Sequence, residues 1–321
     1  MSVSWVIGSG GLLGKAVVQA LTGRSELFVP PTRFAWRDEA ALQAQMEQAV
    51  RTFAAQAAEA AGPWSIYWTA GIGTFASTPE TMAQETRTLA RFLDAVRRAP
   101  ALRAARGAIV LASSAGAIYA GTRDYLITEH TPPAPTTAYA REKLVHEAML
   151  AELAREFDSL GVFIGRISTI YGGGQASRKS QGLLTHIARC VLRGEPVHIY
   201  VPFDTIRDYI NVQDVAQDLI DGAEAATASS GCTMRLVASE HPSTIAEIIG
   251  IFKRIAKRNP RVITSANVLS SLYARRIMFH SLAPLRGTVP ARTPLLIGIA
   301  QLMADERLLL KLPRYADRTS P

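Results

Sequence analysis

The chain has 321 residues, 48% of them hydrophobic, and a formal net charge of +8 at pH 7, so it can form a packed globular core and suits an anionic partner such as a phosphorylated small molecule. Its basic residues are scattered without a long run of like charge or a zinc-type spacing, which disfavours a nucleic-acid partner and a metal site. The two cysteines stand far apart and nothing resembles an export signal or a bilayer-spanning run, so we expect a cytoplasmic protein with no disulfide and no membrane partner.

The chain opens on a strand that leads directly into a glycine-rich turn. Val3–Ile7 is a short apolar run typical of a buried strand, and Lys15–Leu21 has helical character. The turn between them consists of Gly8, Ser9, Gly10, Gly11, Leu12, Leu13 and Gly14. Strand, glycine turn and helix in this order form the phosphate-binding unit of a Rossmann fold, so these turn residues are predicted to bind a dinucleotide. The alternative is a plain loop that needs glycine for its backbone conformation.

The residues after the second predicted strand, Leu27–Val29, bear on which dinucleotide is bound. An NAD enzyme places an acid near this point to hold the ribose 2′-hydroxyl, and the sequence has none there. Arg33 can instead pair with a 2′-phosphate. The cofactor is therefore predicted to be NADP or NAD, with NADP slightly preferred. An ordinary surface arginine is the alternative at this position.

The next segments alternate between helix and strand. Asp38–Ala61 predicts an alanine-rich helix, Ser65–Thr69 a strand, and Thr81–Arg98 an amphipathic helix. Ala70 and Gly71 follow the strand directly and are predicted to lie over the cofactor. The alternation predicts an α/β fold with a Rossmann-type, doubly wound parallel sheet.

A further apolar strand, which begins at Ala108, ends on the two hydroxyls of Ser113 and Ser114. In open α/β sheets ligands bind at the carboxyl ends of the strands, so both serines are expected at the active edge. Both are candidate catalytic residues. The hydroxyl of Ser114 is placed to hydrogen-bond a substrate oxygen.

Tyr139 and Lys143 lie in a run that is predicted to be helical through Phe157. Their spacing places the two side chains one turn apart on the same helix face. A cation fixed beside a phenol favours the phenolate, so the Tyr139 hydroxyl can exchange a proton with a substrate alcohol near neutral pH. An ordinary exposed pair on an amphipathic helix has the same spacing, and the pair alone does not decide between the two interpretations.

The glycine turn, the serine-ended strand and the tyrosine–lysine pair, in this order, resemble the short-chain dehydrogenase/reductase superfamily. Two later segments narrow the resemblance to the extended branch, the NAD-dependent epimerase/dehydratase family that acts on nucleotide sugars. Residues 165–172, GRISTIYG, are similar to the family's RxxNVYGP segment, and residues 207–216, RDYINVQDVA, to its RDYIxVxDVA signature. The resemblance covers roughly residues 3–303, with a poor match over 262–292.

The resemblance implies the chemistry of the site. Lys143 would hold the nicotinamide ribose, and Tyr139 would act as the acid/base while hydride moves between the nicotinamide and C4 of a nucleotide-diphosphate sugar. Arg207 matches the family arginine that pairs with the nucleotide diphosphate, and a guanidinium suits phosphate oxygens. A structural ion pair with Asp208 or Asp214 is the alternative role for this arginine.

Three further residues are implied in substrate binding. Thr169 replaces the asparagine that the family usually has before its second VYG segment. Arg178 and Lys179 lie in the loop 173–182, where the family closes over the nucleotide. The two charges could equally belong to a solvated loop.

The chain departs from the family at two places that limit the reaction. The family's catalytic Ser or Thr is replaced by Ala115, which leaves Ser114 as the nearest substitute. Family dehydratases follow that hydroxyl with Asp-Glu, whereas this chain has Gly116 and Ala117, so dehydration is not expected. An epimerase and a 4-ketoreductase stay open. The alternatives outside this pair are an NADPH-dependent reductase of a non-sugar carbonyl and a non-catalytic NADP(H)-binding sensor or scaffold.

We expect two parts with the active site in the cleft between them. Residues 1–170 would form the NAD(P)-binding Rossmann domain, with parts of 205–240 returning to it, and residues 171–321 mainly a smaller C-terminal substrate-binding lobe. By analogy with the family, a homodimer would form by packing the helices Thr81–Arg98 and Ala138–Phe157 against their symmetry mates.

Overall fold

The structure is a computed structural model that describes residues 1–173, 182–264, 276–283 and 291–311. Its largest sheet consists of β1 (Val3–Ile7), β2 (Glu26–Phe28), β3 (Trp64–Trp68), β4 (Gly107–Ser114), β6 (Leu160–Ile167) and β10 (Gly231–Val237). These six strands all pair in parallel, in the order β10-β6-β4-β3-β1-β2. The predicted α/β fold with a Rossmann-type parallel sheet is confirmed.

Helices cover both faces of this sheet. They are α1 (Leu12–Leu21), α2 (Glu39–Glu59), α3 (Pro79–Arg97), α4 (Pro100–Ala104), α5 (Ala115–Ile118), α6 (Ala138–Glu156) and α8 (Val212–Ser229). Successive side chains of a strand point to opposite faces, and β4 shows the result: Ile109 and Leu111 pack in a core with α2, α3, α4 and α6. Ala108 and Val110 pack in a second core with α1 and α8. The sheet is therefore buried on both sides, as its nearly continuous apolar strands require.

The later segments build a smaller part with a core of its own. Its helices are α7 (Leu183–Arg193), α9 (Ile245–Ala256) and α10 (Leu295–Lys311). The strands outside the large sheet are β5 (Leu126–Ile127), β7 (Thr169–Tyr171), β8 (Val197–Ile199), β9 (Ile206–Asn211), β11 (Pro242–Thr244), β12 (Val262–Thr264) and β13 (Met278–Phe279). Buried residues of α7, α9, α10, β8 and β9 form one cluster. β11, β9 and β7 form a three-stranded sheet. The assignment of substrate binding to this part stays a prediction.

Local chemistry explains where several elements begin and end. α1 begins at Leu12, earlier than the predicted Lys15, because the turn closes on itself when the Gly11 N–H donates to the Gly8 carbonyl oxygen at 2.9 Å. β2 ends at Phe28, shortly before two prolines that have no N–H to donate.

Three features bear on the function classes that the composition disfavours. Within the described residues, no helix is long and apolar enough to cross a membrane. The same residues contain no cluster of histidine, cysteine or acidic side chains that could hold a metal ion. Cys190 and Cys232 are both free thiols.

The close packing of α8 on β6 gives a stability prediction. Gly222 of α8 faces Phe163, and a Cβ at this glycine would lie 2.5 Å from two atoms of the ring. We expect Gly222→Ala to lower the free energy of unfolding by about 1–3 kcal/mol, because the buried ring has to move. Urea unfolding followed by circular dichroism measures the change.

Gly250 of α9 is the matched control. It is also inside a helix, but a Cβ there would meet no atom within 4 Å. Alanine has the higher helix propensity, so Gly250→Ala should raise the free energy of unfolding by up to about 1 kcal/mol. If both variants changed the free energy of unfolding in the same direction, the packing argument would be contradicted.

Candidate active site

The glycine turn lies at the carboxyl end of β1, where three segments of backbone come close together. Gly8 has a φ of +93°, and a Cβ at this position would lie 2.6 Å from the backbone nitrogen of Ala70. A Cβ on Gly14 would overlap the carbonyl oxygen of Gly8. Side chains cannot be accommodated at these two positions. Glycine therefore allows β1, the start of α1 and the segment after β3 to meet at one edge of the sheet.

The outer part of this turn is open. Ser9, Gly10 and Gly11 are exposed, and a Cβ on Gly10 would meet no atom within 4 Å. α1 follows with no side-chain cap and no acidic residue in its first turn, and the side chains of Leu12 and Leu13 pack against the core beneath it. The N–H groups at the start of a helix carry partial positive charge and favour anions. This cradle fits the pyrophosphate of a dinucleotide.

The turn after β3, which contains Ala70 and Gly71, is held by a residue that the sequence reasoning missed. One carboxylate oxygen of Glu85, on α3, accepts hydrogen bonds from the backbone N–H groups of Ile72 at 2.6 Å and Gly73 at 2.7 Å. A single glutamate on an amphipathic helix has no distinguishing sequence signal, and the contact becomes visible only with the fold.

Tyr139 and Lys143 lie one turn apart at the start of α6. The hydroxyl of Thr137 caps this helix by accepting a hydrogen bond from the N–H of Ala140 at 3.2 Å. The ammonium nitrogen of Lys143 lies 5.7 Å from the centroid of the Tyr139 ring. A Cβ on Gly73 would lie 2.8 Å from Cδ2 of that ring. The predicted pair is therefore brought together, and its tyrosine packs against the turn after β3.

The Lys143 side chain is buried, with 5% of the residue exposed. Among the residues that the structure describes, no carboxylate forms a salt bridge with it. His146, also on α6, adds no second charge, because burial and the nearby Lys143 ammonium lower the pKa of His146 to about 3. Its Nε2 lies 2.9 Å from Oγ1 of Thr86, which also donates to Glu142. Within the described ranges, the lysine is thus a cation without a carboxylate partner, in a region of low solvent access.

Ser113 belongs to a buried polar network. Its hydroxyl donates to Oε1 of Glu147 at 2.5 Å. Arg166 donates to the two oxygens of the same carboxylate, from Nε at 3.0 Å and from Nη2 at 2.6 Å, and also to the hydroxyl of Tyr119. The network joins β4, β6 and α6. The Ser113 hydroxyl is therefore engaged inside the protein, and its proposed catalytic role stays a prediction.

Ser114 differs from its neighbour. It ends β4, is partly exposed, and its hydroxyl has no hydrogen-bond partner within the described parts of the chain. The next residue, Ala115, begins α5 and is buried. Of the two serines, Ser114 is the one with a free hydroxyl at the carboxyl edge of the sheet.

Thr169 and Arg207 lie on adjacent strands of the smaller sheet. Thr169 begins β7 and is in register with Tyr209 of β9, two residues beyond Arg207. The Arg207 guanidinium donates from Nη1 to the carbonyl oxygen of Ile206 at 2.8 Å. The structure brings these two predicted substrate residues near each other, and their role stays a prediction.

Arg33 is exposed in the segment after β2. Because β1 and β2 are parallel neighbours, this segment leaves the sheet at the same edge as the glycine turn. Arg178 and Lys179 lie outside the described residues.

The model of the NAD-dependent epimerase/dehydratase family matches residues 5–225 of this chain. A dTDP-4-dehydro-6-deoxyglucose reductase of Escherichia coli is 30% identical over 109 residues, which is 34% of this chain and 34% of the reductase. The match thus spans about a third of the length of that relative.

Solved structures resemble nearly the whole chain. MoeE5 in complex with UDP-glucose and NAD has a TM-score of 0.78 and 21% identity, over 97% of this chain and 100% of MoeE5. A UDP-glucose 4-epimerase of Thermotoga maritima with UDP-glucose has a TM-score of 0.75 and 18% identity, over 97% of this chain and 100% of the epimerase. At these identities the likeness shows a shared fold.

The buried network beside the site gives a second stability prediction. Glu147→Ala leaves the Arg166 guanidinium buried without its carboxylate. We expect the free energy of unfolding to fall by about 3–5 kcal/mol, the usual effect of removing one partner from a buried ion pair. Chemical denaturation of both proteins measures the difference.

Glu156 supplies the control, because it also lies on α6 and accepts hydrogen bonds from an arginine, Arg97, but has a side chain that is 35% exposed. Glu156→Ala should cost less than about 1 kcal/mol. If Glu156→Ala lowered the free energy of unfolding as much as Glu147→Ala, burial of the ion pair would not explain its contribution to stability.

Proposed function

The chain belongs to the NAD-dependent epimerase/dehydratase family, and we propose that it is an NAD(P)-dependent oxidoreductase or epimerase that acts at C4 of a nucleotide-diphosphate sugar. The observation that carries the proposal is the buried Lys143 ammonium, which has no salt-bridge partner among the described residues and lies 5.7 Å from the Tyr139 ring. A cation removed from water is costly unless an anion compensates it. A tyrosine that ionises during the reaction supplies such an anion.

The residues present fit a dinucleotide. The open glycine turn and the start of α1 would hold its pyrophosphate, and Lys143 its nicotinamide ribose. The turn that contains Ala70 and Gly71, held in place by Glu85, would cover it from the neighbouring strand. When bound, the nicotinamide supplies or accepts the hydride that is exchanged with C4.

Tyr139 would transfer the proton. Its hydroxyl would donate to a 4-keto oxygen or accept from a 4-hydroxyl, and the Lys143 charge would stabilise the phenolate in either direction. Electrostatic interactions are stronger where water is excluded, so the burial of this lysine strengthens its effect on the phenol. Because His146 is neutral, it does not compete with Lys143 for the phenolate.

Ser114 would take the place of the hydroxyl that is missing at Ala115. Its side chain has no hydrogen-bond partner among the described residues, so it can donate to the substrate oxygen. Ser113 is less suited to this role because its hydroxyl donates to Glu147. Gly116 and Ala117 carry no acid or base, which argues against a dehydratase.

An epimerase and a 4-ketoreductase differ in how they use the cofactor. An epimerase regenerates its dinucleotide in each cycle, whereas a reductase consumes NADPH. Arg33 and the absence of an acid after β2 favour the reductase, as does the name of the Escherichia coli relative. The family match and the fold shared with a UDP-glucose 4-epimerase favour the epimerase. In either case Arg207 and Thr169 would bind the nucleotide diphosphate.

The proposal also covers where the protein is located and how many chains it assembles from. We expect a cytoplasmic protein that forms a homodimer through α3 and α6. These helices already pack against each other within one chain, as the contact of Thr86 with Glu142 shows. Analytical ultracentrifugation measures the oligomeric state directly.

Tyr139→Phe tests the chemistry. It deletes the acid/base, so turnover with a 4-keto or 4-hydroxy nucleotide sugar should fall by at least about a hundredfold, while dinucleotide binding is retained. Tyr125→Phe is the control, because Tyr125 is 64% exposed, and its rate should be unchanged. A Tyr139→Phe enzyme with nearly full activity would overturn the assignment.

The identity of the cofactor is tested in two steps. The protein is first purified without added cofactor and denatured, and any released dinucleotide is identified by mass spectrometry. Bound NAD(H) at about one per chain supports the epimerase, since that cycle retains its cofactor. An empty protein that prefers NADPH to NADH supports the reductase.

Arg33→Ser then tests the basis of this preference. It should weaken NADPH binding about tenfold without changing NADH binding, because a charged hydrogen bond to the 2′-phosphate is lost. Arg37→Ser removes an exposed arginine from the same segment and should change neither affinity. An unchanged NADPH affinity in Arg33→Ser would show that this arginine does not contact the 2′-phosphate.

A further inference from the structure

The ends of α9 and α10 form a surface that combines basic and apolar side chains, and the proposed reaction uses none of it. We call it the basic leucine surface. Its members are Lys253, Arg254, Lys257, Arg258, Arg307, Leu308, Leu309, Leu310 and Lys311, all of which are exposed. None of them belongs to the candidate active site.

Two cavities connect all of these residues except Leu308 and Leu309. A shallow cavity at the end of α9 is lined by Lys253, Lys257 and Arg258, among others. A second cavity, between α9 and the end of α10, is lined by Arg258, Leu310 and Lys311 among its residues. Arg258 lines both cavities and connects them.

Within the described parts of the chain, the cations of this surface have no partner side chain. Lys253, Arg254, Lys257, Arg258, Arg307 and Lys311 make no salt bridge or side-chain hydrogen bond with any residue in the described ranges, and no acidic residue lines either cavity. Arginines of α7 nearby behave differently: Arg189 pairs with Glu306, and Arg193 with Glu195. The positive charge at the ends of α9 and α10 is therefore available to an external anion.

The leucines add a second, independent feature. Leu308, Leu309 and Leu310 are 63%, 42% and 43% exposed. The preceding turns of α10 are anchored, because Leu302 and Met303 are buried in the core of the smaller part. The helix thus ends by presenting three consecutive apolar side chains to the outside, between two basic residues. Exposed apolar side chains beside exposed cations suit a partner that offers both apolar and anionic groups.

We propose that the basic leucine surface docks the protein onto a membrane surface rich in anionic lipids. The arginines and lysines contact the headgroups, and Leu308, Leu309 and Leu310 enter the boundary between headgroups and acyl chains. This peripheral contact requires no spanning helix, and it replaces the expectation from the sequence that the protein has no membrane partner. A nucleic acid would satisfy the cations alone and leave the leucines in water, so the apolar contribution favours the lipid.

Cosedimentation of the full chain with lipid vesicles tests the proposal. Vesicles of phosphatidylcholine and phosphatidylserine should bind the protein at physiological ionic strength, whereas vesicles of phosphatidylcholine alone should not. Replacing Lys253, Arg254, Lys257 and Arg258 together by glutamate should weaken binding by at least about a hundredfold. No binding to the anionic vesicles would overturn the proposal.

A control variant separates a specific surface from a general effect of net charge. Replacing Arg51, Arg106, Arg123 and Arg155 by glutamate makes the same change in net charge at exposed positions elsewhere, and vesicle binding should change less than about threefold. An equal loss of vesicle binding in this control would show that binding depends on net charge alone and would overturn the proposal.

The leucines are tested by replacing Leu308, Leu309 and Leu310 with serine, which should weaken vesicle binding at least about tenfold while leaving dinucleotide binding intact. This variant retains every cation and so keeps the test valid if the glutamate variant fails to fold. Undiminished binding, or tighter binding of the parent protein to a single-stranded oligonucleotide than to anionic vesicles, would contradict membrane docking.

Discussion

The buried ion pair between Glu147 and Arg166 fixes the part of the fold on which the proposed chemistry depends. Both side chains are 8% exposed, and a pair removed from water is tolerated only when its remaining hydrogen bonds are satisfied. Ser113 and Tyr119 supply those bonds. Because Glu147 lies one turn beyond Lys143 on α6, the pair sets how this helix is rotated against the sheet. The direction of the lysine and tyrosine side chains follows from that rotation.

The charges on α6 are arranged so that one cation remains uncompensated. Glu142 accepts a hydrogen bond from Thr86, Glu147 pairs with Arg166, and burial lowers the pKa of His146 to about 3, so that this imidazole is neutral at physiological pH. Lys143 alone retains a buried charge that no carboxylate in the described residues neutralises. The cost of burying this ammonium is offset when an anion forms beside it. The phenolate proposed for Tyr139 would be such an anion.

Sequence patterns predicted those features that depend on local order. The apolar run of β1, the glycine turn after it and the helix around Tyr139 and Lys143 were found in this way, because each is encoded within a few consecutive residues. Glu85 and Glu147 were not found, since a glutamate that binds backbone or arginine across the fold resembles any helical glutamate. Ser113 was predicted to face a ligand from its place at the end of a strand. Its hydrogen bond to Glu147 depends on α6, which only the three-dimensional structure brings over it.

The RDYINVQDVA signature also has a structural role, which links the two parts of the protein. Asp214, in its second half, accepts hydrogen bonds from both the N–H and the hydroxyl of Thr293, directly before α10. One turn further along α8, Asp218 holds the Arg292 guanidinium through two hydrogen bonds. The smaller part is thereby tied to a helix that packs on the large sheet. Since Arg207 begins the same signature, the proposed diphosphate contact and the anchoring of α10 lie within ten consecutive residues and the following turn of α8.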